Sequence, residues 1–290
     1  MLKKLFILVA FQLSLLSYTS ASYAITIKIG HNDTSYDQAA VALFKVVFER
    51  SGYNVTETQG DPDLLLSMLD RGEIDFYLSA WLPNRDADSF SPYSENLKLI
   101  TRLYENASSF FAVPRYIPRS LINTVEDLSK PEVLEKMNAT ILVNKQDSSL
   151  VMQAERSAVA YDLESSGYGL QIVASDAWDE NIDNQLEKKI WFVTPMTKPH
   201  LLNLSKKFRK LKDPKKSFAQ KDTAWLVSNS KTEKRIASHI FEIVTKMELS
   251  TKWIAELEQM AEENNWPHYV AARVWMAAHP YTVEYWISSE

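Results

Sequence analysis

The sequence predicts an α/β fold in two lobes, because segments with the pattern of strands and segments with the pattern of helices alternate along it in two separate series. The first series covers residues 25–81 and the second covers residues 139–194. Alternation of this kind is typical of a mainly parallel sheet covered by helices. Strand-like segments at residues 110–113 and 224–227 lie where the chain would pass between the lobes.

The first series is assigned from the spacing of its apolar residues. Alternating apolar residues indicate strands, and apolar residues at helical spacing indicate helices. The predicted order is a strand at residues 25–29, a helix at 39–49, a strand at 53–58, a helix at 63–70 and a strand at 74–81. Ligands of parallel sheets bind at the carboxyl ends of the strands, which makes residues 31–34 and Trp81 candidates for a site.

The second series follows the same pattern. It is preceded by a short capped helix at residues 124–127, and it is separated from the strand at 224–227 by a basic segment at 206–216. From residue 231 onward the pattern is helical. The predicted order within the series is a strand at residues 139–143, a helix at 149–164, a strand at 170–173, a helix at 180–188 and a strand at 190–194.

Two crossings of the chain predict two lobes joined by two hinge strands. We expect residues 25–111 and 225–290 to form lobe 1 and residues 112–224 to form lobe 2. A cleft between two such lobes can close on a small molecule, so the sequence predicts a ligand site there.

Residues 1–24 have the pattern of a cleavable secretory signal peptide. Lys3 and Lys4 precede an apolar run at residues 5–16, and small and polar residues lead to Ala24. The apolar run is shorter than the roughly 20 residues that a transmembrane helix needs. We therefore expect a mature protein that is soluble and periplasmic.

Composition favours a binding protein over an enzyme. The chain contains no cysteine and 6 glycines, and neither a dinucleotide-binding glycine motif nor a phosphate loop occurs. Its five histidines show no metal-binding spacing, and no G-x-S-x-G motif is present. The net charge of −5 argues against nucleic acid as a partner. We expect no cofactor and no metal, and we interpret the basic run at residues 206–212 as a solvated face.

The run from Gly72 to Pro83, GEIDFYLSAWLP, resembles the "G-x-I-D-hydrophobic-x-x-x-x-W-[LM]-P" signature of the glycine betaine, proline betaine, carnitine and choline binding proteins of ABC importers. Further similarities occur in the same order along nearly the whole chain. They comprise residues 111–116, 124–128 and 152–154, Pro199-His200 followed by Asp213-Pro214, and residues 271–275 and 283–286.

The resemblance implies a type II periplasmic binding protein fold, a quaternary ammonium ligand in the cleft and an ABC permease in the inner membrane as partner, with the protein a monomer. A trimethylammonium group donates no hydrogen bond, so aromatic faces hold it through cation–π attraction. By resemblance, Trp81 is one aromatic residue of that cage and His200 holds the tail of the ligand. The simpler alternatives are a core role for Trp81 and a surface role for His200.

Three positions where the family places aromatic residues carry hydroxyl groups instead. Thr197 and Ser109 occupy two of them, and Thr34, next to Asp33, occupies the third. A cleft lined by hydroxyl groups suits a ligand with hydrogen-bond donors. We therefore expect a small polar or cationic amine, such as a betaine relative with an extra donor.

The family's glycine-rich turn before a lobe 2 helix is replaced by residues 146–149, QDSS. Ser148 at this helix start is a candidate ligand contact. Asp147 would repel a carboxylate, and its simplest role is to cap the helix. Trp178 and Tyr36 could replace the missing aromatic residues, although packing explains both more simply. A signalling role, or a non-betaine ligand on the same fold, stays open.

Overall fold

The computed structural model describes residues 25–218 and 220–288 of the chain, and the expected signal peptide lies outside them. Lobe 1 begins with three strands and two helices in alternation, followed by a short helix and a long strand. Their bounds are β1 Thr26–His31, α1 Ser35–Arg50, β2 Asn54–Gln59, α2 Pro62–Arg71, β3 Phe76–Leu82, α3 Ala87–Phe90 and β4 Leu97–Pro114, with a 3₁₀ turn at Ser91–Tyr93.

The chain then forms lobe 2 and returns through a single strand. After a 3₁₀ turn at Glu126–Ser129 come α4 Pro131–Leu134, β5 Thr140–Asn144, α5 Ser148–Ala160, β6 Gly169–Val173, α6 Ser175–Glu187 and β7 Thr194–Lys198. A 3₁₀ turn at Leu201–Asn203, β8 Phe208–Lys210 and the returning strand β9 Asp222–Asn229 follow. The C-terminal helices, which pack on lobe 1, are α7 Ser230–Arg235, α8 Ser238–Lys246, α9 Thr251–Asn264, α10 His268–Ala278 and α11 Pro280–Ile287.

The main sheet has the strand order β2-β1-β3-β9-β4-β7, with β8 paired to β4, and a separate parallel pair joins β5 and β6. Strands β1, β2 and β3 are parallel, as predicted, whereas β9 runs antiparallel to both β3 and β4. Because β4 and β9 pair with each other, the two connections between the lobes lie side by side.

Each lobe has its own hydrophobic core, and the chain passes from one core to the other once along β4 and once just before β9. Core residues of lobe 1 extend from Ile27 to Ala107 and resume at Ala224, whereas those of lobe 2 lie between Phe110 and Phe218. This change supports the lobe boundaries at 111/112 and 224/225, which stay a proposal.

In the part of the chain that the structure describes, no helix is both long enough and apolar enough to cross a membrane.

Two predictions about strands were wrong, and one about a surface segment was incomplete. β4 has 18 residues, although only residues 110–113 were predicted, because three register shifts interrupt its alternating pattern. β7 begins at Thr194, where the predicted strand ended. β7 lies at the end of the sheet, where Pro195 removes no required hydrogen bond. The basic run contains β8, and its Arg209 is buried and donates to the carbonyl groups of Ile117 and Ile122, so this run is not simply a solvated face.

Candidate ligand-binding site

A cavity of about 480 Å³ lies between the lobes. Lobe 1 contributes residues 34–36 at the start of α1 and the last turn of α9, and lobe 2 contributes residues from α6, β7 and the turn after β7. A second cavity of about 330 Å³ adjoins it, since Thr34, Gln146 and Asp147 line both. The site therefore lies in the interlobe cleft that the sequence predicted.

Thr34 stands at the lobe 1 wall because it caps α1. Its hydroxyl oxygen accepts the backbone N–H of Asp37 and donates to the Asp37 carboxylate at 2.9 Å. Burial raises the pKa of Asp37 to about 6, against the opposing effect of Arg85. Asp33 lines the smaller cavity and accepts a hydrogen bond from Gln38. The polar residues 32–34 thus connect β1 to α1 at the cleft.

Strand β7 forms the lobe 2 wall. Thr197 lines the larger cavity and pairs with Ser109 of β4, whose hydroxyl accepts a hydrogen bond from Gln153 at 3.4 Å. His200 follows β7, and its Nδ1 accepts the backbone N–H of Leu202. Burial lowers the pKa of His200 to about 4. At neutral pH its imidazole is therefore uncharged, and its Nε2–H is left to donate.

Two aromatic side chains line the larger cavity. Tyr36 lies at the start of α1, and Trp178 lies in the first turn of α6, 6.0 Å from the ring of His200 in an edge-to-face arrangement. Both are buried, in keeping with the packing roles that the sequence favoured, and both also contribute to the cavity wall. The Trp178 indole N–H donates to the carbonyl oxygen of Leu142, which fixes the orientation of the ring.

Trp81 is 1% exposed and lines neither of these two cavities. The guanidinium of Arg85 lies over its ring, with Cζ 3.7 Å from the ring centroid. The indole N–H donates to Ser79 and Tyr104, both at 3.1 Å. The cation–π partner of Trp81 is therefore a residue of the chain itself. A ligand contact of Trp81 stays a prediction, as does one of Ser109, which also lies behind the cavity walls.

Arg85 is held in place by a buried ion pair with Asp86. The two side chains are 2% and 1% exposed, and Arg85 Nε donates to Asp86 Oδ1 at 2.9 Å. Burial would lower the pKa of Arg85, but Asp86 and Tyr36 outweigh this and raise it well above the ordinary value. The Asp86 carboxylate also accepts the backbone N–H of Trp81. Asp86 thus contacts both Trp81 and the guanidinium that lies over the Trp81 ring.

Among the described residues that line the two cavities, two side-chain hydrogen bonds join the lobes. The Tyr36 hydroxyl donates to Asp147 Oδ2 at 2.8 Å, and the Ser148 hydroxyl donates to Asp61 Oδ1 at 2.6 Å. Asp147 also caps α5, as expected, by accepting the backbone N–H of Leu150. Burial raises its pKa, against the opposing effect of Arg85. Ser148 lines the smaller cavity with its hydroxyl bonded to Asp61, and a ligand contact of Ser148 stays a prediction.

The larger cavity is acidic. Among the described residues that line it, one is a lysine, Lys207, whereas the acidic ones are Asp147, Asp179, Asp183, Glu262 and Glu263. Burial, followed by the charges of Glu262 and Asp183, raises the pKa of Asp179 to about 6. Asp179 belongs to lobe 2 and Glu262 to lobe 1, so like charges face each other across the mouth of the cleft.

Of the residues that the sequence predicts as ligand contacts, the structure places Thr34, Thr197 and His200 at the larger cavity and Asp33, Thr34 and Ser148 at the smaller one. Sequence reasoning missed Arg85, Asp179 and Glu262. The signal for Arg85 was a charged residue four positions after Trp81, directly beyond the break at Pro83. No local pattern marks Asp179 or Glu262, because each lies on a helix with many charged neighbours.

Two α/β lobes with a polar cavity between them and two adjacent connecting strands define a solute-binding protein. The family described as the substrate binding domain of ABC-type glycine betaine transport systems matches residues 25–278. The chain belongs to this family. It is therefore a substrate-binding protein of the ABC transporter type and not an enzyme; such proteins bind a small ligand outside the cytoplasm and deliver it to a permease.

Solved structures share the fold at low sequence identity. ProX from Borrelia burgdorferi, a glycine/betaine/L-proline-binding protein, has a TM-score of 0.80 and 20% identity, over 91% of this chain and 97% of that one. Lactococcal OpuAC, closed with glycine betaine, has a TM-score of 0.79 and 20% identity, over 91% and 100%. An ABC-transporter choline-binding protein with choline has 0.75 and 15%, over 90% and 91%. No curated protein matches the chain.

Proposed function

We propose that the protein captures a small amine or betaine-like compound in the larger interlobe cavity and passes it to an ABC permease for uptake. The observation that carries this proposal is the acidic cavity that combines Tyr36 and Trp178 with the polar side chains Thr34, Thr197 and His200. Family membership supports the transport role, and the ligands of ProX, OpuAC and the choline-binding protein support the compound class.

The residues divide into two roles in this proposal. Tyr36 and Trp178 supply aromatic surface, and Thr34, Thr197 and His200 supply polar contacts to the ligand. The neutral His200 imidazole donates from Nε2 to an oxygen of the ligand or its bound water. Asp33 and Ser148 line the adjoining cavity, and Ser148 joins the lobes through its hydrogen bond to Asp61. Trp81 and Ser109 support the walls from behind.

The experiment is a ligand screen on the purified chain that begins at residue 25. A ligand that binds the native state raises the melting temperature in proportion to the logarithm of its concentration. We expect a rise with at least one compound among glycine betaine, choline, carnitine and unmethylated amines, and calorimetry then gives the Kd. No shift with any of these compounds at millimolar concentration would reject the proposed function.

We also propose export to the periplasm with removal of residues 1–24. The pattern of charged, apolar and small residues in that segment supports it. Mass spectrometry of the protein recovered from the periplasmic fraction should give a chain that begins at Ile25. A full-length chain in the cytoplasmic fraction would contradict this part of the proposal.

A further inference from the structure

We propose that the larger cavity selects a positively charged amine with N–H donors, with its ammonium group on Asp147, in preference to zwitterionic or fully methylated ligands. This inference rests on the proposed function and narrows the ligand class of the same site. Its three supports are the occupied face of Trp81, the buried Asp147 carboxylate and the acidic mouth of the cavity.

The first support is that Arg85 already fills the cation site of Trp81. Its guanidinium lies 3.7 Å from the ring centroid and is bound by Asp86. Displacing Arg85 would leave the buried Asp86 carboxylate with the backbone N–H of Trp81 but without its cation, which costs more than a cation–π contact contributes. A methylated ammonium group therefore loses this aromatic face. Tyr36 and Trp178 remain as the aromatic residues of the cavity wall, and the ring of His200 packs against that of Trp178 in an edge-to-face arrangement.

The second support is the position of Asp147. Its carboxylate is 8% exposed and borders both cavities, where it accepts hydrogen bonds from Tyr36 and from the backbone of Leu150. Arg85, the nearby cation, is bound through both Nε and Nη2 to Asp86. A carboxylate oxygen can accept more than one hydrogen bond, so Asp147 retains capacity for an N–H donor. A quaternary ammonium group has no such donor to offer.

The third support is charge at the mouth of the cleft. Asp179 and Asp183 of α6 face Glu262 and Glu263 of α9, and Lys207 is the basic residue among the described lining residues. Closing the lobes brings these like charges together, and a bound cation between them offsets the repulsion. All four acidic side chains reach solvent, although Asp179 is partly enclosed, so their effect is mainly attraction of the ligand from solution, and it weakens with salt.

The test compares three probes of the same length by calorimetry on the mature chain. Putrescine has two protonated amines, its bis-trimethylammonium analogue has the same charge without N–H donors, and γ-aminobutyrate replaces one amine by a carboxylate. We expect putrescine to bind at least about tenfold more tightly than either of the others, as the loss of a hydrogen bond to a charged group implies.

Equal binding of putrescine and its methylated analogue would overturn the selection of N–H donors. Tighter binding of γ-aminobutyrate or glycine betaine than of putrescine would overturn the selection of positive charge, yet the proposed function would stand. If none of the three probes binds, and glycine betaine, choline and carnitine also fail, the proposed function itself is rejected. The two failures are thus distinguishable.

The variant Asp147→Asn tests the anchor, because asparagine caps a helix as well as aspartate does. We expect putrescine affinity to fall at least about tenfold, while the affinity for its bis-trimethylammonium analogue, which has no N–H to donate to Asp147, falls by a smaller factor. The matched control is Glu180→Gln, which removes one exposed charge from α6 outside the cavity lining and should leave the Kd unchanged. Unchanged putrescine binding by Asp147→Asn would overturn the assignment of Asp147.

Discussion

At the residue scale, Arg85 determines which partners the ring of Trp81 can have. The signature that ends in Trp81 is intact, but the guanidinium of Arg85 covers the ring, and Asp86 binds the guanidinium. The cage role of Trp81 was predicted from the family resemblance and from its position at the end of a strand. The predicted position is correct, since Trp81 lies at the end of β3. The direction of the Arg85 side chain could not be predicted, because it depends on hydrogen bonds to Asp86 and to Tyr36 of α1, which is distant in sequence.

Arg85→Met should destabilise the protein by about 3 to 5 kcal/mol, since it leaves Asp86 buried without its partner. Arg85→Met combined with Asp86→Asn should recover a large part of that loss. Urea unfolding of each purified variant measures both effects.

The control for this pair is Arg71→Met. Arg71 and Glu73 also form an ion pair, but their side chains are 51% and 48% exposed. Exposed pairs of this kind are screened by solvent and contribute little, so this change should be small. Equal losses for Arg71→Met and Arg85→Met would contradict the assigned role of the buried pair.

At the scale of elements, regular hydrophobic patterns were predicted well and irregular ones were not. The alternation of β1, α1, β2, α2 and β3 was predicted with ends displaced by a few residues. β4 was largely missed because bulges near Ile100, Leu103 and Asn106 reset which face its side chains point to. Thr34 was found by counting back from the end of the first predicted helix. Glu262 was not found, because it lies on a helix with many charged neighbours.

Helix α9 carries a buried carboxyl group at the interface with lobe 2. Glu258 is 1% exposed, and burial raises its pKa to about 8 against the smaller effects of Ser35 and the Leu201 backbone. The native state therefore holds the proton that the unfolded chain releases above about pH 4.5. The contribution of Glu258 to stability is fully present below that pH and is lost as the pH rises through about 8.

Glu258→Gln should remove this pH dependence, because glutamine stays neutral. The variant should gain stability relative to the native protein between about pH 5 and pH 8, and the difference should level off above that range. Melting temperatures across this pH range measure it. Glu256→Gln on the same helix is the control, since Glu256 pairs with Lys252 near the surface. A constant difference between Glu258→Gln and the native protein at all pH values would contradict the assignment.

On the scale of the whole molecule, the two lobes meet at the cleft through side-chain hydrogen bonds between residues far apart in sequence. The Tyr36–Asp147 and Ser148–Asp61 hydrogen bonds each join one lobe to the other. The sequence predicted the cleft and its location, because both follow from the order of the elements. It could not predict these contacts, since they depend on how the lobes close around the hinge strands β4 and β9.

Tyr36→Phe should weaken ligand binding by about tenfold, because the closed state loses a hydrogen bond to the Asp147 carboxylate. Calorimetry gives the affinity, and small-angle X-ray scattering should show a larger radius of gyration for the variant at equal ligand concentration.

Tyr168→Phe removes a buried hydroxyl that donates to Leu128 within lobe 2, so it is the matched control. It should lower the melting temperature without changing the Kd. If Tyr36→Phe binds as tightly as the native protein, the hydroxyl has no part in closure.

The covered ring of Trp81 also determines what an optical measurement can report. Of the 8 tryptophans in the sequence, Trp178 is the one among the described residues that line the larger cavity. Trp81 lies outside both cavities, with Arg85 over its ring. Trp178 therefore lies closest to a ligand in the larger cavity, and we expect ligand addition to change its emission, which makes this indole a reporter of occupancy.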